Sequence, residues 1–135
     1  MSGNCAIGSR SSASPPTITI TIDNTGKSEP GPVDTVLIAL AACTSEDVLT
    51  ILEKRRTPAA HLSIDVEGKR ADGVPARLTH IHLRYVVDGE GIDRPNTLRA
   101  IELAVTKYCS VRDSLDKSIE IDWSLLLNGS ADGDG

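Results

Sequence analysis

The sequence predicts a single α+β domain: an antiparallel sheet with a long central helix. Three features carry that expectation. Residues 17–23 (TITITID), 61–70 (HLSIDVEGKR) and 78–88 (LTHIHLRYVVD) alternate in polarity, the period of a strand with one buried face. Between the first two lies VDTVLIALAACTSEDVLTILEKRR, which is apolar on every side from Val33 to Cys43, as a buried helix is. The order strand, helix, two strands, helix, strand, with no internal repeat, is that of an α+β sheet.

Residues 1–16 (MSGNCAIGSRSSASPP) are polar, rich in Ser and Gly, and end in Pro15-Pro16, which predicts a flexible lead-in that contains Cys5. After the 17–23 strand, residues 24–30 are turn formers. Pro32 suits a first helical position, where a missing N–H does no harm. Beyond Cys43 the pattern turns amphipathic, with Val48, Ile51 and Leu52 inward. Thr44-Ser45-Glu46-Asp47 resembles a fresh N-cap, so a kink or restart is expected beside Cys43. Lys54-Arg55-Arg56 complements a helix C-terminus and Pro58 ends it. The next two strands are joined by a turn around Asp72-Gly73. Leu98, Ile101, Ala104, Val105 and Tyr108 give helical spacing to Pro95–Cys109. Residues 112–115 suit a short turn, 118–127 (SIEIDWSLLL) a last strand, and 128–135 a disordered tail. The expected domain is therefore 17–127.

At 135 residues the chain has the length of one domain, and 39% hydrophobic with 24% charged residues is a globular composition. Aromatics are 2% and Phe is absent, so the core is aliphatic and base-stacking platforms are lacking. A net charge of −5 speaks against a nucleic-acid or anionic-membrane partner. Three cysteines, an odd number, do not make a disulfide framework. No apolar run approaches the roughly 20 residues of a bilayer span, and residues 1–16 hold no apolar signal core. The expected location is the cytoplasm, where a cysteine is more often free, catalytic or metal-binding than bridged.

Cys43 has two readings. It is a small buried hydrophobe, or a thiolate favoured by the unpaired N–H groups of a new helix N-terminus. Cys109 closes the second helix and is again either packing or the partner of a dithiol pair. His80 and His82 share one strand face with Arg84. That pair could bind a metal, but with no CxxC or HExxH beside it a solvated sheet face is favoured, and no metal is expected. His61 reads as a strand-edge residue. No GxGxxG, GxxxxGK[ST] or GxSxG is present.

Gly31-Pro32-Val33-Asp34-Thr35-Val36-Leu37-Ile38-Ala39-Leu40-Ala41-Ala42-Cys43-Thr44 resembles the first cysteine motif of the OsmC/Ohr family, and Asp47 to Arg56 continues it in the style of its YhfA-like branch. Arg99-Ala100-Ile101-Glu102 through Lys107-Tyr108-Cys109-Ser110-Val111 is similar to the family's second-cysteine helix, and Leu78 to Gly89 to the strand before it. The likeness covers Gly31 to Trp123. It implies an OsmC-like fold, an intertwined homodimer with sites at the interface, and thiol-dependent reduction of organic hydroperoxides in oxidative or osmotic stress. Cys43 would be the peroxidatic cysteine and Cys109 the resolving one, with a lipoyl or thioredoxin-like dithiol as reductant and no cofactor. In the hydroperoxide-resistance branch a Glu that holds a catalytic arginine follows the motif's Pro directly. Here that place is Val33, so the candidate carboxylate is Asp34. Arg10 is the one arginine before Cys43, and no motif anchors it. The alternative is a non-catalytic OsmC-like dimer that binds a small hydrophobic ligand or senses redox state.

Overall fold

The computed structural model describes residues 2–8, 17–23 and 31–130. Five strands form one sheet in the order β1 (Ser2–Gly8), β2 (Thr17–Asp23), β3 (His61–Arg70), β4 (Leu78–Asp88), β5 (Glu120–Leu127). Helix α1 (Pro32–Lys54) joins β2 to β3. Helix α2 (Arg94–Leu103), a π-helical turn (Ala104–Tyr108) and α3 (Ser110–Ser114) join β4 to β5.

The architecture is α+β, as expected, but the sheet is mixed. β1/β2 and β3/β4 are antiparallel, while β2/β3 and β4/β5 are parallel. Connection length decides this. The short β3–β4 link closes a hairpin, whereas a strand that returns through a helix can pair parallel. A second correction falls at the start of the chain. Ser2–Gly8, read from sequence as part of a flexible lead-in, pairs with β2 along its whole length, with Cys5 opposite Ile20. Polar composition hid a strand whose ladder is backbone to backbone. The rest of the proposed lead-in, with Arg10, lies outside the described residues. So does 131–135 of the proposed tail, while Asn128–Ser130 turns back so that Ser130 exchanges backbone bonds with Leu127.

The inner face of the sheet carries Ile20, Leu62, Ile64, Val66, Ile81, Leu83, Tyr85, Val87, Leu125 and Leu127, all buried. Register aligns Ile20, Ile64, Tyr85 and Leu125 as one row across four strands. α1 lies over β2, β3 and β4, and α2 and the π-helical turn pack on α1. The helix buries Leu37, Leu40, Ala41, Thr44, Ser45, Val48 and Leu52. Each large apolar side chain so buried contributes roughly 1.5–3 kcal/mol. Gly68 in β3 makes room for this contact: a Cβ there would lie 2.8 Å from Leu78 Cδ2 and 3.1 Å from Leu37 Cδ2.

α1 has 23 residues and a mean hydropathy of 1.7 over its most apolar stretch, enough by length and composition to cross a membrane. That corrects the expectation that no run reaches this length. Here its buried side chains meet the sheet of the same domain, as those of a core helix do.

Candidate active site: two thiols under one helix turn

α1 starts at Gly31, whose N–H donates to Asp34 Oδ2 at 2.9 Å. This closes one of the orphan donors at the helix start. Asp34, the candidate catalytic carboxylate, thus has a capping contact, and among the described residues no arginine pairs with it.

The helix is unbroken through Cys43, so the expected restart does not occur. The Thr44 hydroxyl donates back to Ala41 O at 3.1 Å and that of Ser45 to Ala42 O at 2.7 Å. Hydroxyls that bond back to carbonyls of the preceding turn do not cap a new helix N-terminus. Cys43 is therefore mid-helix and half-buried, not at a helix N-terminus.

The N-cap lies at the other cysteine. After α2 the chain widens into the π-helical turn and leaves helical geometry at Cys109 (φ −75°, ψ 108°), which caps α3. π-turns inside helices concentrate at functional sites. The Cys109 Sγ accepts the Arg112 N–H at 3.3 Å. Cys109 is only 4% exposed, and burial pushes its thiol up to about 11. The Arg112 N–H works against that rise, while the charge of Cys43 and donation of the Cys109 S–H toward Cys43 add to it. The two thiols lie close enough to influence one another, where α1 packs on the π-helical turn and α3, and both are free. Their separation by about half the chain is bridged because α2 and the π-helical turn pack on α1.

Sequence reasoning missed Tyr85. It is fully buried on β4, and its hydroxyl donates to Thr44 Oγ1 at 2.7 Å. Burial raises its phenol far above the ordinary value. The Thr44 bond opposes that, and the charges of Cys109 and Cys43 add to it. The only signal was an aromatic residue at an inward position of an aliphatic strand.

A cleft of about 400 Å³ opens onto Cys109, walled by Val105, Ile121 and Trp123, with Lys107, Arg112 and Lys117 around it. The Arg112 guanidinium is committed to the carbonyls of Asp116 and Ile119, both at 3.1 Å. Among the described residues, no arginine side chain bonds either thiol.

His80, His82 and Arg84 share the outer sheet face, as their spacing predicts. Both imidazoles meet one carboxylate: His80 Nε2 lies 3.0 Å from Asp122 Oδ2, and His82 Nδ1 lies 2.5 Å from Asp122 Oδ1. The His82 hydrogen bond, ahead of that of His80, holds the Asp122 carboxyl below its usual range. His82 Nε2 is 3.1 Å from Ser124 Oγ. Among the described residues no group of three His, Cys, Asp or Glu side chains is arranged to hold a metal ion.

Residues 24–124 fit the model of the OsmC-like protein family. The chain belongs to that family. It is 34% identical over 98 residues to Protein YhfA of Escherichia coli (strain K12), which covers 73% of each chain. The OsmC like protein from Mycoplasma pneumoniae superposes with a TM-score of 0.64 at 17% identity, over 92% of this chain and 94% of that one. The Organic Hydroperoxide Resistance Protein OhrB of Bacillus subtilis superposes with a TM-score of 0.53 at 14% identity, over 93% and 97%. These structural likenesses establish a shared fold.

Proposed function

We propose that this OsmC-like protein is a thiol-dependent peroxidase that reduces organic hydroperoxides through a Cys43/Cys109 dithiol–disulfide cycle. The juxtaposition of two free thiols of unequal exposure, where α1 packs on the π-helical turn, carries this reading. The half-buried Cys43 thiolate attacks the peroxide oxygen, the O–O bond breaks, and an alcohol leaves with one proton taken up. Cys43 is then a sulfenic acid. The Cys109 thiol condenses with it, an S–S bond forms, and the sulfenic oxygen departs as water. An external dithiol, lipoyl or thioredoxin-like, returns both cysteines to thiols and is itself oxidised to a disulfide. The apolar wall of the cleft that opens onto Cys109 suits the dithiol reductant, which must reach the disulfide. The cycle needs no cofactor, and the reducing cytoplasm supplies such dithiols.

Stoichiometric cumene hydroperoxide is expected to remove two titratable thiols per chain, and dihydrolipoamide to restore them with turnover. Retention of all three thiols would overturn the reading. It would favour a dimer that binds a small hydrophobic ligand, which the lack of an arginine side chain on either thiol, among the described residues, supports.

The protein is proposed to act as a homodimer. Val33, Val36, Ile38 and Ala42 remain partly open and Ala39 exposed on α1, an apolar stripe that a second copy would cover. Sedimentation at micromolar concentration is expected to give a single species of twice the chain mass; a monomer alone would refute it.

A further inference from the structure

The redox cycle leaves the buried Tyr85 hydroxyl without a part. Tyr85 stands in the central row of the inner sheet face, flanked by Ile64 and Leu125, with no exposed surface. A buried hydroxyl costs free energy unless it is paired. Its partner is Thr44, also fully buried, which follows Cys43 in α1 and passes the chain on to Ala41 O. This Tyr85–Thr44–Ala41 relay is a polar tie between sheet and helix, in a core otherwise held by aliphatic contact. It grips the helix turn that carries Cys43. Because the Tyr85 phenol is held protonated, it remains a donor throughout the working pH range.

We infer that Tyr85 is a positioning residue for the dithiol: by holding Thr44 it fixes the Cys43 turn against Cys109, so that the sulfenic acid meets the second thiol before a second peroxide. The inference rests on the peroxidase reading for its kinetic consequence, though not for its geometric one. Two fates compete at the Cys43 sulfenic acid. Condensation with Cys109–SH gives the disulfide and water. Reaction with another hydroperoxide gives sulfinic acid and an alcohol, and is irreversible for most proteins. Condensation is intramolecular, so its rate depends on alignment, and a misplacement of about 1 Å can cost roughly 10²-fold. Overoxidation is bimolecular and does not use the tie.

The test uses Tyr85→Phe, which keeps the ring and removes one hydroxyl, and Thr44→Val with Thr44→Ser as its rescue. Two readouts are taken on the reduced full chain. The first is the equilibrium between the Cys43–Cys109 disulfide and its dithiol in dithiothreitol buffers, which involves no peroxide. Tyr85→Phe and Thr44→Val are each expected to lower the disulfide-forming constant by about tenfold, a shift of about 30 mV toward easier reduction. Thr44→Ser should stay near wild type, and the double variant should lose no more than either single one, since both cut the same bond. The second is mass spectrometry after excess cumene hydroperoxide, where the sulfinic fraction at Cys43 should rise by about tenfold while the first oxidation keeps its wild-type rate. A merely structural tyrosine would lower Tm and leave both readouts within twofold of wild type, and that result overturns the inference. If Tyr85→Phe does not fold, the Thr44 pair decides alone. If wild type ignores peroxide but the disulfide equilibrium shifts as stated, the peroxidase reading fails and the positioning role stands.

Discussion

Cys43→Ser is expected to abolish reaction with organic hydroperoxide, whereas Cys109→Ser should react once and then stall. The nucleophile is the thiolate. Burial pushes the Cys109 thiol up to about 11, which keeps it protonated at pH 7, and it is 4% exposed. As a buried thiol it is the poorer first nucleophile. Cys43 is half-buried, so peroxide reaches it more readily. Burial suits the resolving role, in which attack on an adjacent sulfenic acid needs proximity more than a low pKa. Without Cys109 the Cys43 sulfenic acid has no partner and climbs to sulfinic acid. Mass spectrometry after one equivalent of hydroperoxide checks both variants. Oxygen gained on Cys109 in Cys43→Ser, as fast as wild type consumes peroxide, would reverse the assignment.

The basis for that asymmetry differs from the one legible in sequence. Thr44-Ser45-Glu46-Asp47 reads as a cap, which would have placed unpaired N–H groups at Cys43. Whether a hydroxyl caps forward or bonds back depends on burial that a linear pattern does not record, and here both hydroxyls face the core. The helix N–H falls to Cys109 instead, because the π-turn shifts the exit of the second helix to that residue. No sequence rule announces such a turn. Where polarity alternation governs, the reading succeeds. Residues 17–23, 61–70 and 78–88 are strands with the bounds expected, and His80 and His82 lie on one face. Alternation fails at Ser2–Gly8, where Ser, Gly and Asn mask a strand. It is also silent on strand direction, which the helical connections set. The two cysteine motifs were legible; the Tyr85–Thr44 contact beneath them, between residues far apart in sequence, was not.

Ile64→Ala is expected to be the most damaging conservative truncation in the sheet, costing about 2–5 kcal/mol. Ile64 is fully buried on β3, paired in register with Ile20 on one side and Tyr85 on the other. Removing its outer carbons leaves a void between β2 and β4, under a helix already in close contact at Gly68. Neighbours held by two ladders cannot collapse to fill it, so the cavity cost adds to the lost transfer free energy. Against a total stability of ordinarily about 5–15 kcal/mol, such a loss is a large fraction. Ser63→Ala, one residue earlier and on the opposite face, should change stability by no more than about 0.5 kcal/mol. The pair isolates the period-two alternation, since both act on one strand. Urea unfolding of each variant measures the difference. A midpoint for Ile64→Ala within error of that for Ser63→Ala would mean that β3 does not present Ile64 to the core, and the register across Ile20, Ile64, Tyr85 and Leu125 would have to be redrawn.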